Sequence, residues 1–177
     1  MIREGETAPD FALPGVERGE PDVYELFRPI EDGDAVLLWF VPSPFVPTAT
    51  AELAAINRAG WHDCEGLQVW VVSMESIYAA AAYADDHEFP MAFLGDGASA
   101  ADYYGVKQDE WEGHYNVPER AAFFIDDDWT VEAAWQRADA FERPSPSPVE
   151  VVAASVAEHV PAATADVSVE YDEYFGG

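Results

Sequence analysis

Residues 35–40 read AVLLWF, and this stretch decides the fold. It follows a Gly33-Asp34 turn and contains no polar residue. A continuous apolar run of this length, bounded by turn signals, predicts a strand that is buried on both faces, as in a parallel sheet. Pro42, Pro44 and Pro47 then break the chain into a loop.

A helix is predicted directly after this loop, over Thr48–Ala59. The spacing of Leu53 and Ile56 turns both side chains toward a core. Thr48 or Thr50 is expected to cap the first turn, because a hydroxyl can accept an orphan backbone N–H there.

Strands and helices alternate along the rest of the chain. We predict an extended segment over residues 8–15, strands over 67–73, 89–94, 121–126 and 130–135, and helices over 77–87, 98–104 and 149–160. This order predicts an α/β, thioredoxin-like fold. The expected central sheet is mostly parallel, with a C-terminal antiparallel hairpin and helices on both faces.

We expect one domain over residues 1–160 and an acidic C-terminal tail over residues 161–177. The tail contains the aromatic cluster Tyr171, Tyr174 and Phe175. These rings either dock on the domain or a neighbour, or stay in solvent with the rest of the tail. The acidic composition favours the solvated tail.

The net charge of the chain indicates which classes of binding partner are disfavoured. The 177-residue chain carries 35 acidic and 8 basic side chains, a formal net charge of −27, and its only lysine is Lys107. Such a surface repels nucleic acid and anionic membranes, so neither is expected as a partner. At molar salt the screening length falls to about 3 Å, which relieves the self-repulsion. The composition is therefore typical of a halophile's cytosolic protein, and 49% hydrophobic residues exclude a disordered chain.

The single cysteine, Cys64, excludes an intramolecular disulfide and a zinc site built on several thiolates. Residues 1–6 contain no apolar signal core, and no apolar run approaches the roughly 20 residues needed to span a bilayer. We expect a soluble, cytoplasmic protein without a metal or cofactor. The acidic groups at 85–88 and 126–128 lack metal-ligand spacing, so they are interpreted as hydrated surface.

Several motifs, in this order and spacing, resemble one family. They are GETAPDFAL at residues 5–13, FP at 89–90, LGD at 94–96, YGV at 104–106 and VPERAAFFID at 117–126. Together they are similar to the peroxiredoxins of the alkyl hydroperoxide reductase C/thiol-specific antioxidant type. The similarity spans residues 4–158 and is strongest to the bacterioferritin-comigratory branch and its haloarchaeal relatives.

The loop before the predicted helix departs from the family pattern, which reads Pro-x-x-x-Thr/Ser-x-x-Cys. Pro42 fits, and so do Glu52 and Leu53 inside the helix. However, the hydroxyl position holds Val46 and the peroxidatic cysteine position holds Ala49. Ala54 stands at the position of the resolving cysteine that many relatives carry.

The resemblance implies a specific chemistry for this loop. In the family a thiolate attacks the O–O bond of a peroxide and becomes a sulfenic acid. The helix N-terminus and an arginine lower the thiol pKa from about 8.5. Arg120 matches that arginine, but Ala49 offers no nucleophile and Val46 no hydroxyl.

Three interpretations remain open for this loss. The chain is a natural, redox-inactive member that binds a ligand or a partner, or it is a cysteine-to-alanine variant of an active thiol peroxidase, or it uses Cys64 instead. The acidic neighbours of Cys64 disfavour a thiolate, and its position predicts the far end of the helix from Ala49.

A pocket lined by Phe45, Val46, Trp111 and Arg120 would suit a hydroperoxide, a small anion or an apolar acid. The family resemblance also implies a homodimer that pairs around the first long helix and nearby loops. The alanine-rich stretch at 77–84 is expected to pack closely against a helix or a second subunit.

Overall fold

The computed structural model describes residues 1–96 and 99–175. Its strands are β1 (Ala12–Glu17), β2 (Glu20–Glu25), β3 (Ala35–Phe40), β4 (Leu67–Ser73), β5 (Ala92–Gly95), β6 (Lys107–Trp111), β7 (His114–Pro118), β8 (Arg120–Ile125) and β9 (Val131–Arg137). Its helices are α1 (Phe27–Glu31), α2 (Pro47–Ala59), α3 (Ile77–His87), α4 (Ser99–Tyr103) and α5 (Pro148–His159).

Seven strands form one mixed sheet in the order β2-β1-β5-β4-β3-β8-β9. The three central strands, β3, β4 and β5, run parallel, and Leu37 of β3 lies opposite Val69 of β4. Both edges are antiparallel: β8 and β9 form the C-terminal hairpin, and β1 pairs with β5 and β2. The predicted thioredoxin-like α/β fold is confirmed.

The apolar run of β3 contributes side chains to two hydrophobic cores, one on each face of the sheet. Leu37 and Trp39 join the core that α2, α3 and α5 cover. Val36, Leu38 and Phe40 join the opposite core, which α1 and α4 cover. Alternate side chains of a strand point to opposite faces, so a strand covered on both sides is apolar throughout. The prediction for residues 35–40 is therefore confirmed.

Two hairpins were not predicted. Residues 12–15 of the predicted extended segment do form part of a strand, β1, but β1 also turns back onto β2 through Arg18-Gly19. Likewise β6 turns onto β7 through Glu112-Gly113. Both residues of each turn have positive φ, between 49° and 82°. Such turns match the twist of a hairpin and usually carry Asn-Gly or Asp-Gly. Because arginine and glutamate occupy the first turn position in place of Asn or Asp, the sequence did not indicate these turns.

Other boundaries moved by a few residues. The third predicted strand starts at Ala92, not Phe89, because Phe89 packs its ring against Tyr83 of α3 with centroids 5.9 Å apart. Ala98, the predicted start of the short helix, lies outside the described residues. Helix α5 begins at Pro148 behind a capping box, in which Ser147 and Glu150 bond each other's backbone N–H groups.

Within the two described stretches of chain, no helix combines the length and the apolar character needed to cross a membrane.

Candidate active site

The N-terminus of α2 is built by the loop that follows β3. Val46 is the N-cap in an extended conformation, and Pro47 takes the first helical position, where its missing N–H costs nothing. Ala49 lies in the first turn and is 2% exposed. The position that the family resemblance assigns to the nucleophile is therefore at the helix end, as expected, but its side chain is a buried methyl group.

Neither threonine caps this helix, contrary to the expectation for Thr48 and Thr50. Both lie inside α2, and the N-cap makes no side-chain hydrogen bond. The Thr48 hydroxyl donates to the carbonyl of Ala140. The Thr50 hydroxyl donates to the carbonyl of Pro44 at 3.1 Å and lies 2.7 Å from the Tyr83 hydroxyl. Both hydroxyls therefore hold the surrounding loops in place.

Arg120 and Glu52 form an ion pair below the first turn of α2. Glu52 is fully buried and Arg120 is 2% exposed. Arg120 Nη2 donates to Glu52 Oε1 and Arg120 Nε donates to Oε2 at 3.5 Å, a side-on arrangement that fits guanidinium to carboxylate. Arg120 Nη1 donates to the carbonyl of Glu142 at 2.6 Å. The ring of Trp135 lies 5.2 Å from the guanidinium carbon.

Opposing effects act on the carboxyl of Glu52. Burial raises its pKa above the ordinary value, because charge is poorly solvated in the interior. Arg120 and Tyr171 act in the opposite direction, because both donate hydrogen bonds to the carboxylate. The indole nitrogen of Trp39 is buried and has no hydrogen-bond partner within the described part of the chain. Removing any of the stabilising groups would therefore increase the free-energy cost of keeping the ionised carboxyl of Glu52 buried.

The third partner of the ion pair is Tyr171, which the sequence did not identify as a site residue. Its hydroxyl donates to Glu52 Oε1 at 2.8 Å and accepts from Arg120 Nη2 at 3.2 Å. Burial and the adjacent Glu52 charge raise the pKa of this phenol well above its ordinary value, so it is a neutral hydroxyl at all physiological pH values.

The expectation of a solvated tail is wrong for its described part. The indole N–H of Trp61 donates to the carbonyl of Thr164 at 2.9 Å. Farther along, Arg143 pairs with Asp172 at 2.9 Å and lies 4.0 Å from the ring centroid of Phe175. The short 3-10 turn at Tyr171–Glu173 packs against α2. The acidic composition concealed these contacts, because each depends on one aromatic ring or one arginine.

The other predicted pocket residues differ in their exposure and in the elements that carry them. Pro42 and Val46 are buried. Phe45 is 57% exposed and meets Tyr83 edge-on, with ring centroids 5.1 Å apart. Trp111 lies on the separate β6–β7 hairpin. A cavity of 590 Å³ lies elsewhere, between α3 and the β1–β2 turn.

Cys64 lies beyond the opposite end of α2 from Ala49. The helix rises about 15 Å over the ten steps from Ala49 to Ala59. The thiol is half-buried and donates to the carbonyl of Gly60 at 3.5 Å. Burial and the charge of Asp63 raise its pKa, which disfavours the reactive thiolate.

One of the acidic groups considered in the sequence, Asp126, serves local structure. Asp126 accepts the backbone N–H groups of Asp128 and Thr130, at 2.9 and 2.8 Å, and so shapes the β8–β9 turn. Asp126, Glu132 and His159 place one ligand atom each within 4.8 Å of one another. The imidazole of His87 stacks on Phe89 with ring centroids 5.2 Å apart. The absence of a metal stays a prediction.

Comparison with known proteins agrees with this architecture. The sequence model of the AhpC/TSA family matches residues 5–134. A selenocysteine-containing peroxiredoxin, PrxU of Peptoclostridium acidaminophilum, is 27% identical over 141 residues, which cover 75% of this chain and 66% of that protein. The chain thus spans slightly less than two thirds of this relative.

Solved structures show the same fold. AhpC of Enterococcus faecalis superposes with a TM-score of 0.68 at 24% identity, covering 90% of this chain and 96% of that one. Peroxidoxin BcpB of Mycobacterium tuberculosis gives a TM-score of 0.66 at 24% identity, covering 80% and 90%.

Proposed function

The chain belongs to the AhpC/TSA family of peroxiredoxins, and on this premise we propose that it acts by binding rather than by thiol-dependent reduction of peroxides. The observation that carries the proposal is the buried methyl group of Ala49 at the N-terminus of α2. Peroxide reduction by this family's route requires a thiolate at that place. The loss of the hydroxyl at Val46 supports the same conclusion.

Hydrogen peroxide consumption with a thiol reductant, measured in molar potassium chloride, tests this proposal. We expect the unmodified chain to be indistinguishable from a protein-free blank, because its only thiol, Cys64, is half-buried with a raised pKa. Ala49→Cys and Val46→Thr/Ala49→Cys are the positive controls for the loop. Cys64→Ser is the control for the remaining thiol.

The alternative function is a thiol peroxidase, supported by the family match itself. A saturating rate in the unmodified chain that Cys64→Ser abolishes would establish Cys64 as the nucleophile and overturn our proposal. A fast rate from Ala49→Cys alone would instead show that only the nucleophile is missing, as in a cysteine-to-alanine variant of an active enzyme. No rate from either Ala49 variant would show that the loop has been remodelled.

The ion pair also bears on the ligand. Glu52 neutralises Arg120, so an incoming small anion would meet a carboxylate together with the guanidinium. This arrangement favours a neutral ligand over the small anion suggested by Arg120 alone. A hydroperoxide is neutral and remains compatible with the site. We retain the homodimer, the cytoplasmic location and the division at residue 160 as parts of the proposal.

We further infer that the protein works in concentrated salt, because its formal net charge is −27. Screening contracts from about 10 Å at 0.1 M to about 3 Å at 1 M salt, which weakens repulsion between surface carboxylates. We expect this change to raise the thermal midpoint by roughly 4–8 °C, equivalent to about 2 kcal/mol. Calorimetry in potassium chloride measures the shift, and a midpoint that is flat or falls with salt would contradict the inference.

A further inference from the structure

We propose that Glu52 and Arg120 form a receptor for one neutral hydroxyl group on an aromatic ring, and that Tyr171 of the chain's own tail occupies it. The Tyr171 hydroxyl is held on two sides, by Glu52 Oε1 at 2.8 Å and by Arg120 Nη2 at 3.2 Å. When the Tyr171 side chain is absent, a small phenol is the ligand class that fits this place.

The selectivity for a hydroxyl follows from the donors and acceptors at the site. Glu52 Oε1 accepts from Arg120 Nη2 and can take a second donor, and Nη2 carries a second N–H that can donate in return. A hydroxyl is both donor and acceptor, so one oxygen satisfies both groups. A carboxylate or phosphate cannot donate to Glu52, and a hydrocarbon leaves the ion pair intact but without the two hydrogen bonds that the hydroxyl makes, which is costly in a buried site.

The tail supplies the aromatic ring to this receptor through contacts at both ends. Trp61 holds the tail at Thr164, and Arg143 holds it at Asp172 and Phe175. Between these contacts the 3-10 turn that contains Tyr171 packs on α2. The ring therefore reaches the ion pair beside the helix that carries Ala49.

The inference deepens the proposed function, since it names the chemical class that the site binds. Its test does not use peroxide. Peroxidase activity in the unmodified chain would overturn the proposed function and leave the phenol measurements interpretable. Failure of phenol binding would overturn the inference and leave the redox result unchanged.

The test is chemical rescue of full-length Tyr171→Ala by p-cresol, the phenol that reproduces a tyrosine side chain. At ten times its dissociation constant, p-cresol should raise the thermal midpoint of this variant by about 3–6 °C. Toluene, which lacks the hydroxyl, and benzoate, which is an anion, should produce smaller shifts. The unmodified chain and Tyr171→Phe should not respond, because a ring already fills the place.

Equal shifts from toluene and p-cresol would overturn the proposal, since the hydroxyl would not be recognised. A larger shift from benzoate would make the site an anion site, and an equal shift in the unmodified chain would make the binding nonspecific. Should Tyr171→Ala fail to fold, Tyr171→Phe provides the decision. It removes one oxygen, and we expect its midpoint to fall by about 2–6 °C. A midpoint equal to that of the unmodified chain would overturn the proposal.

Discussion

Replacing Arg120 by methionine is expected to lower the free energy of unfolding by about 3–5 kcal/mol. The substitution keeps a long apolar side chain but leaves Glu52, which is fully buried, without its counter-ion. It also removes the donor to the carbonyl of Glu142. Urea denaturation in molar potassium chloride measures the loss.

One control variant separates the loss of the counter-ion from the loss of packing. The double variant Glu52→Gln/Arg120→Met contains no buried charge at this place and should recover more than about half of the loss. A double variant as unstable as Arg120→Met would show that packing, not the unpaired carboxyl, accounts for the loss.

The stability lost in Arg120→Met should also depend on pH. Burial raises the pKa of Glu52, and removing Arg120 raises it further. In the variant the folded state keeps the proton while the unfolded state releases it above its ordinary pKa. Stability of Arg120→Met is therefore lost as pH rises, and its deficit relative to the unmodified chain should be smaller at pH 5 than at pH 8. The opposite trend would show that burial does not control this carboxyl.

Trp61→Ala should be almost as damaging, with an expected loss of about 3–5 kcal/mol in the free energy of unfolding. The side chain is fully buried, and its indole N–H is the contact that holds Thr164 at the start of the tail. We also expect faster proteolysis of residues 161–175, because the tail loses this anchor. Urea denaturation and limited proteolysis followed by mass spectrometry measure the two effects.

Trp61→Phe provides the matched control, because it keeps an aromatic ring and removes only the donor. We expect it to lose about 1–2 kcal/mol and still to accelerate cleavage of the tail. Tyr78→Ala is the surface control: this ring is 79% exposed, and its removal should change stability by less than about 0.5 kcal/mol. Faster tail cleavage in Tyr78→Ala would show that the proteolysis reports general loosening.

The elements that could be predicted are those with local signals. The apolar run of β3 and the helical spacing of Leu53 and Ile56 correspond to buried faces that each element forms by itself. The β6–β7 hairpin escaped because Glu112 adopts a positive φ that glutamate seldom takes. Local chemistry was thus sufficient where the residue type matched its conformation.

The residues of the site also fall into those that could be predicted from the sequence and those that could not. Arg120 and Ala49 could be placed by resemblance, because their motifs are contiguous in sequence. Tyr171 could not, because it meets Glu52 across 119 residues and belongs to a stretch whose composition indicates solvent exposure. Composition averages over a segment, whereas one hydrogen bond to a buried carboxylate depends on a single side chain.

The docked tail competes with free ligands for the receptor. Tyr171 follows the end of α5 by only twelve residues, so its hydroxyl is present at the receptor at a millimolar effective concentration. A free phenol at micromolar concentration must bind about a thousandfold more tightly than the untethered tyrosine to displace it. Dilute small molecules are therefore poor competitors of Tyr171. Binding of the tail by another macromolecule is the more effective way to remove Tyr171 from the receptor.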